Sequence, residues 1–246
     1  MSSREVADAI AAAAAEFAIE AAALAAIAEL ESGGVGYAAF DGRREPPIRF
    51  EGHYFDRRLS GEKRAQARAE GLSSPVAGKV PNPAGQAARW RLLDRAAAID
   101  RKAAWESASW GLGQVMGAHW AWLGYASVDA FVAEARSGAS GQARQMARYI
   151  AKAGLIPAIA RRDWAAVARG YNGPGYAKNR YDERLAAAFA RHGGATTLTS
   201  NGPVAEAKAP AGKPSKPAAK SPPAPAASKR GFFGRLWDAL VGGRRG

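Results

Sequence analysis

The chain has 246 residues, with 35 Lys and Arg against 22 Asp and Glu and a formal charge of +13. That length suits one core of ordinary size with appendages, and the charge calls for an anionic partner: a lipid surface, an acidic cell-wall polymer or nucleic acid. Cysteine is absent, which excludes a disulfide framework, a thiolate nucleophile and a cysteine-ligated zinc site.

From Ser3 to about Leu30 the sequence is dense in Ala, Ile, Leu and Glu, mostly strong helix formers. Three acidic residues, Glu5, Asp8 and Glu16, interrupt its apolar stretch and no basic start precedes it, so no secretory signal is expected. At about 100° per residue, Phe17, Leu24, Ile27 and Glu31 fall within about 40° of one direction. Glu31 therefore lies on the apolar stripe, immediately before a Ser-Gly-Gly turn. Glu20 falls on the same stripe, which suggests either two helices here or a first half that fits the core less well.

Residues 32 to 85 are richer in Gly, Pro and Arg. Within them "IRFEGHYF", 48 to 55, reads as a short strand or extended loop, residues 61 to 70 as a helix, and "SSPVAGKVPNPAGQ" as a loop. Helical patterns follow in "QAARWRLLDRAAAIDRKAAWESAS", "SVDAFVAEARSG", "GQARQMARYIAKAGLIPAIARR", "RDWAAVARGYN" and "YDERLAAAFARH". Ser127 and Ser140 are the expected N-caps of two of them. The domain over 1–194 is thus mainly α, with room for one small β-hairpin.

After Gly194 the composition changes to a Pro/Ala/Lys tract with few side chains to pack, expected to be a disordered linker over 195–228. The last segment, 229–246, places Phe232, Leu236 and Leu240 at helical spacing beside Phe233 and Trp237, bracketed by Arg230, Arg235, Arg244 and Arg245. This pattern suits a short C-terminal amphipathic helix for an anionic membrane or lipopolysaccharide. Much of the charge sits in this tail with no aromatic-basic recognition motif, which argues against nucleic acid.

Three segments carry candidate chemistry. A carboxylate at a helix C-terminus meets the negative end of the macrodipole, and on an apolar face it loses hydration; both effects raise its pKa, as a general acid requires. A glutamate at a helix end is also commonly a solvated, ion-paired residue, so Glu31 alone decides little. In "ESASWGLGQVM", 106 to 116, the glycines around Leu112 fit a tight turn entering a helix or a backbone approaching a ligand. In "ARGYNGPGYAKNRY", 168 to 181, Tyr171, Asn172, Tyr176 and Asn179 decorate a Gly-Pro-Gly turn with groups suited to sugars. Three histidines, His53, His119 and His192, occur in no spacing that sets two ligands on one helical face, so neither metal nor cofactor is expected. His53 reads as a locally hydrogen-bonded side chain, and the tryptophans mostly as core, with Trp110 a candidate sugar-stacking face.

In order and type these segments resemble motifs of goose-type lysozymes and soluble lytic transglycosylases: a helix-terminal Glu-Ser-x-Gly, a Ser-x-Gly-Leu-x-Gln-x-Met, and a turn containing Tyr-Asn. Over roughly residues 20 to 191 the chain is more similar still to the N-acetylmuramidase domain of phage endolysins, through "LESGGVGY", "FEGHYF", "SASWGLGQVMG" and "WAAVARGYNGPGYAKNRYDERLAAAF". The resemblance implies a lysozyme-like fold, peptidoglycan as partner, and cleavage of the β-1,4 bond between N-acetylmuramic acid and N-acetylglucosamine. It makes Glu31 the acid and places Ser32, Ser109, Gln114, Met116, Tyr171 and Asn172 around the sugar. Glu51 matches a second acidic position, a base or substrate-positioning group. Asp41 is an alternative base, more simply read as a turn aspartate before glycine. A transglycosylase giving anhydro products is the alternative chemistry. A monomer is expected, made in the host bacterial cytoplasm and acting on the wall after release.

Overall fold

The computed structural model describes residues 3–195; the linker and the basic amphipathic tail expected from the sequence lie outside the described residues. Among the described residues are ten α-helices and five short strands, and no helix is long and apolar enough to cross a membrane.

Helix α1 (Ser3–Glu16) buries Val6, Ala9, Ile10, Ala13 and Ala14, one face at helical spacing. The chain then turns through Ala18, whose φ is 52°, and restarts as α2 (Ala21–Ser32). This break explains why Glu20 lies on the stripe: it stands at the start of α2, ion-paired to Arg162 at 2.7 Å. Phe17 therefore lies in the turn after α1, outside the helix that carries Leu24 and Ile27. Helix α2 buries residues around much of its circumference, Ala23, Leu24, Ala26, Ile27 and Ala28, because α1, α7 (Ala139–Lys152) and α10 (Tyr181–Arg191) all pack on it. Truncating a fully buried Leu24 or Ile27 to Ala in such a setting costs about 2–5 kcal/mol.

Strands β1 (Ala38–Phe40) and β2 (Arg43–Glu45) form a hairpin. Its two-residue turn, Asp41 at φ 45° and Gly42 at φ 73°, has the doubly positive φ of a type I′ turn, the form whose twist matches paired strands. A second sheet joins β3 (Ile48–Phe50), β4 (Ala108–Trp110) and β5 (Val115–Met116) in that order, all antiparallel. Its register sets Arg49 opposite Ser109 and Ser109 opposite Met116. Two small sheets thus replace the single hairpin expected. "IRFEGHYF" is strand for only three residues, and α3 (Gly52–Arg58) begins directly after Glu51.

Helix α4 (Gly61–Ala69) falls where the sequence suggested. Helix α5 (Gln86–Glu106) is kinked at Asp100, whose backbone is extended and whose carboxylate accepts from the N–H of Ala103 at 2.9 Å, capping the second half. Helix α6 (Val128–Arg136) is capped by Ser127, which accepts from Ala130 N–H. The other expected cap is corrected: Gly138, not Ser140, precedes α7. The apolar run after it is not continuous either, and splits at Gly154 into α7 and α8 (Ile156–Ala160). Helix α9 (Trp164–Asn172) starts on Asp163, which accepts from Ala166 N–H.

Two apolar clusters result. One joins α1, α2 and α7–α10; the other joins the sheets to α3–α6. The β4–β5 hairpin spans them: Trp110 and Val115 belong to the second cluster, while Leu112, at the tip, is buried in the first.

Candidate active site

Glu31 sits in the last turn of α2. Gly33, at φ 66°, ends the helix: its N–H bonds the carbonyl of Glu29 at 2.9 Å and that of Gly34 bonds Ala28 at 3.1 Å, a Schellman closure that requires a left-handed residue. The Ser32 hydroxyl donates back to the Ala28 carbonyl at 3.0 Å. The chain therefore stops sharply one residue after the acid and turns away. Glu31 is half-buried, and its Oε1 accepts a 2.6 Å hydrogen bond from the Tyr181 hydroxyl. Burial pushes its pKa up to about 7, against the lowering effects of the Tyr181 hydrogen bond and the Arg184 charge. At neutral pH this carboxyl is poised between forms, the condition for donating a proton.

Tyr181 opens α10 on the same face as the buried Leu185, Ala188 and Phe189, and Arg184 follows it on the same helix. Neither was singled out from sequence. The available signal was a tyrosine on an apolar stripe, whose hydroxyl must find a partner when buried. Tyr149 and Tyr171 also lie within the electrostatic reach of Glu31: both hydroxyls have raised pKa values, through burial first and the Glu31 charge next. Tyr149 was likewise not anticipated.

The β4–β5 hairpin forms a neighbouring wall. Tyr171 donates to the carbonyl of Gly113 at 2.6 Å. A Cβ on Gly113 would lie 2.6 Å from Met146 and 2.7 Å from the Tyr171 hydroxyl oxygen, so glycine here allows close packing against α7 and α9. Gln142 holds the same tip: its Oε1 accepts from Leu112 N–H at 3.1 Å, and its Nε2 donates to the carbonyls of Gly36 at 2.9 Å and Ala135 at 3.1 Å. One buried amide thereby ties the hairpin tip to the loop that follows Glu31. Sequence reasoning missed it because a glutamine in an Ala-rich helix reads as solvated.

Ser109 and Gln114 are placed differently from the expectation. They are 1% and 8% exposed. Ser109 Oγ donates to Gln114 Oε1 at 2.9 Å, and Gln114 Nε2 donates to the carbonyls of Pro47 and Gly111. Their polar atoms brace the hairpin from within instead of being offered to a ligand. Met116, half-buried opposite Ser109, remains at the surface. Trp110 is 1% exposed and its indole N–H donates to Trp105 O, so it is core and offers no stacking face. Tyr171 and Asn172 occupy the last turn of α9 rather than the loop after it, with Asn172 buried.

Glu51 stands between β3 and α3. Arg49 Nε donates to its Oε1 at 2.8 Å, and His53 Nδ1 lies 3.4 Å from Oε2. Burial alone would raise its pKa, but His53 and Arg49 outweigh that and leave it lowered. The two glutamates thus have opposite electrostatics: burial raises the pKa of Glu31 to about 7, while His53 and Arg49 lower that of Glu51. Asp41 does not share this setting. It is exposed at the tip of the β1–β2 turn and ion-paired to Arg91 at 3.4 Å. Its left-handed φ and the following glycine account for its presence. Among the described residues no group of three or more His, Asp and Glu could hold a metal ion.

Residues 20–193 match the Muramidase family model, described as N-acetylmuramidase. The crystal structure of a Burkholderia AP3 phage endolysin is similar, with 33% sequence identity and a TM-score of 0.64, over 76% of this chain and 71% of that one. No curated protein matches the sequence. The helix-terminal glutamate, the glycine hairpin packed against Tyr171 and the family match over most of the chain lead to one conclusion: the chain belongs to the N-acetylmuramidase family of lysozyme-type, peptidoglycan-degrading enzymes.

Proposed function

We propose that the chain cleaves the β-1,4 bond between N-acetylmuramic acid and N-acetylglucosamine, with Glu31 as general acid. The observation that carries this reading is the Glu31 carboxyl itself, with a pKa near 7 and a 2.6 Å bond from Tyr181 that fixes its orientation. Glu31 delivers its proton to the glycosidic oxygen as the bond to the muramic acid anomeric carbon lengthens. The anionic Glu51 stabilises the positive charge that develops on the sugar and takes the proton of the attacking water. After turnover Glu31 recovers its proton from solvent.

A second reading rests on Glu51. It is 9% exposed and held by Arg49 and His53, a setting that favours a fixed anion over one that handles water. With Glu51 acting only as that anion, the 6-hydroxyl of the muramic acid attacks, and the product is the 1,6-anhydro sugar of a lytic transglycosylase.

Mass spectrometry of fragments released from purified peptidoglycan by the unaltered chain, Glu31→Gln and Glu51→Gln tests both. Reducing-end muramic acid that disappears with Glu31→Gln supports the muramidase. Anhydro ends establish the second reading. Release of glycan fragments by Glu31→Gln at the unaltered rate overturns the role of Glu31 in either.

A further inference from the structure

Helices α2 and α10 pack along one another, and between them a cavity of about 140 Å³ opens to solvent, lined by Glu29, Leu30, Arg184, Ala187 and Arg191. No residue of the β4–β5 hairpin, of α7 or of α9 contributes to this lining. The cavity nonetheless adjoins Glu31 along both helices. Leu30 immediately precedes the acid in α2. Arg184 stands one helical turn after Tyr181, whose hydroxyl bonds Glu31, and from there its charge acts on that carboxyl.

Arg184 is half-buried, yet among the described residues its guanidinium makes no hydrogen bond or ion pair. Every other half-buried arginine among them is engaged: Arg58 with Glu106, Arg64 with the carbonyls of Asp56 and Leu59, Arg136 with Glu45, Arg144 and Arg148 with Glu134, and Arg162 with Glu20. The other charges of the cavity are balanced among themselves. Glu29 pairs with Arg191 and lies 2.8 Å from His192 Nε2, and Glu183, beside Arg184 in sequence, pairs with Arg180. One guanidinium is therefore left over in the lining, a cation at every working pH.

A partly desolvated guanidinium offers paired N–H donors whose spacing matches the two oxygens of a carboxylate. Leu30 and Ala187 give the same cavity an apolar side, and its volume admits more than a single water. A carboxylate carried on a short apolar group fits that combination. In peptidoglycan such groups belong to the peptide attached to the lactyl group of muramic acid, which carries alanine methyls and free carboxylates. Two extended residues span at most about 7 Å, more than the pitch of one helical turn at about 5.4 Å. A peptide leaving a muramic acid bound at Glu31 thus reaches one turn past Tyr181, where Arg184 stands.

We propose that Arg184, in the cavity between α2 and α10, binds a carboxylate of the peptide carried by muramic acid and makes the chain selective for peptide-bearing glycan over bare glycan. This rests on the glycan-cleaving reading above, and two separate measurements keep their failures apart. Release of fragments from peptidoglycan by the unaltered chain reports that reading. Affinity of the full-length Glu31→Gln chain for a peptidoglycan disaccharide with and without its peptide, measured by calorimetry, reports the carboxylate site.

In the Glu31→Gln background the peptide-bearing disaccharide binds about tenfold tighter than the bare one, equivalent to about 1.4 kcal/mol. Adding Arg184→Gln removes most of that advantage, and Arg184→Lys, which keeps the charge, restores part of it. The same disaccharide with its peptide carboxylates converted to amides binds no better than the bare sugar. In the otherwise unaltered enzyme Arg184→Gln lowers the ratio of kcat/KM on intact peptidoglycan to kcat/KM on peptide-stripped glycan strands, a ratio from which any shared effect on Glu31 cancels. A peptide advantage that survives Arg184→Gln within about twofold overturns the site. So does equal binding of the amidated and the free-acid peptide, or no preference for the peptide-bearing sugar by Glu31→Gln itself, even where the unaltered chain releases fragments.

Discussion

The raised pKa of Glu31 makes the residue costly to the fold, and replacing it reveals that cost. Folding moves its pKa from 4.5 to about 7, so between those values the folded chain holds a proton that the unfolded chain has lost. Stability then falls as pH rises through that interval and is level above it. Glu31→Gln removes the titration and keeps an oxygen to accept the Tyr181 hydrogen bond. By linkage the variant is more stable than the unaltered chain by about 1 kcal/mol at about pH 5, and by at most about 3 kcal/mol at about pH 9. For a domain of this size the alkaline difference corresponds to a rise in Tm of roughly 6 to 12 °C. Differential scanning calorimetry of both proteins at the two pH values measures it, with lytic activity lost in the same variant. A stability difference that does not change with pH, or a variant less stable under alkaline conditions, refutes the account of a desolvated acid.

Tyr181→Phe removes a hydrogen bond that lowers the Glu31 pKa, so the alkaline limb of the kcat/KM profile moves to higher pH while kcat falls through lost orientation. A limb that stays in place or moves to lower pH counts against that role for Tyr181. Asp41→Asn preserves the left-handed turn residue and removes the carboxylate; turbidity clearing of peptidoglycan is expected to match the unaltered chain, and a large loss restores Asp41 as a base. Gln142→Leu leaves Leu112 N–H and the Gly36 and Ala135 carbonyls without their partner. Each such loss costs about 1–3 kcal/mol, so thermal denaturation shows a lower Tm and activity falls as the hairpin tip loosens. An unchanged Tm shows that the amide does not brace the site.

Local chemistry made part of this molecule legible in advance. The helices at α4 and α6 follow from short-range patterns, and the Ser127 cap from a side chain that satisfies orphan amides three residues away. The break between α1 and α2 showed itself in Glu20, a charge misplaced on a stripe. Errors arose where burial overrode such patterns. The strand at Ile48–Phe50 was legible, but the helix that starts at Gly52 directly after it was not, and the kink at Asp100 is hidden within an unbroken helical composition.

For the site, the sequence determined by itself that a carboxylate would end α2 on its apolar side. Helical periodicity fixes the face of Glu31, and the Ser-Gly-Gly stop fixes its place in the last turn. Its chemistry was decided by the tertiary structure. The tyrosine that orients it lies 150 residues further along the chain, and the amide joining its loop to the hairpin bridges 106 residues. Ser109 and Gln114, local enough to be noticed, turned inward because the β4–β5 hairpin required them. The physical reason is that a pKa follows the solvent excluded around a group. In this fold that exclusion is the work of helices α7, α9 and α10 closing over the end of α2.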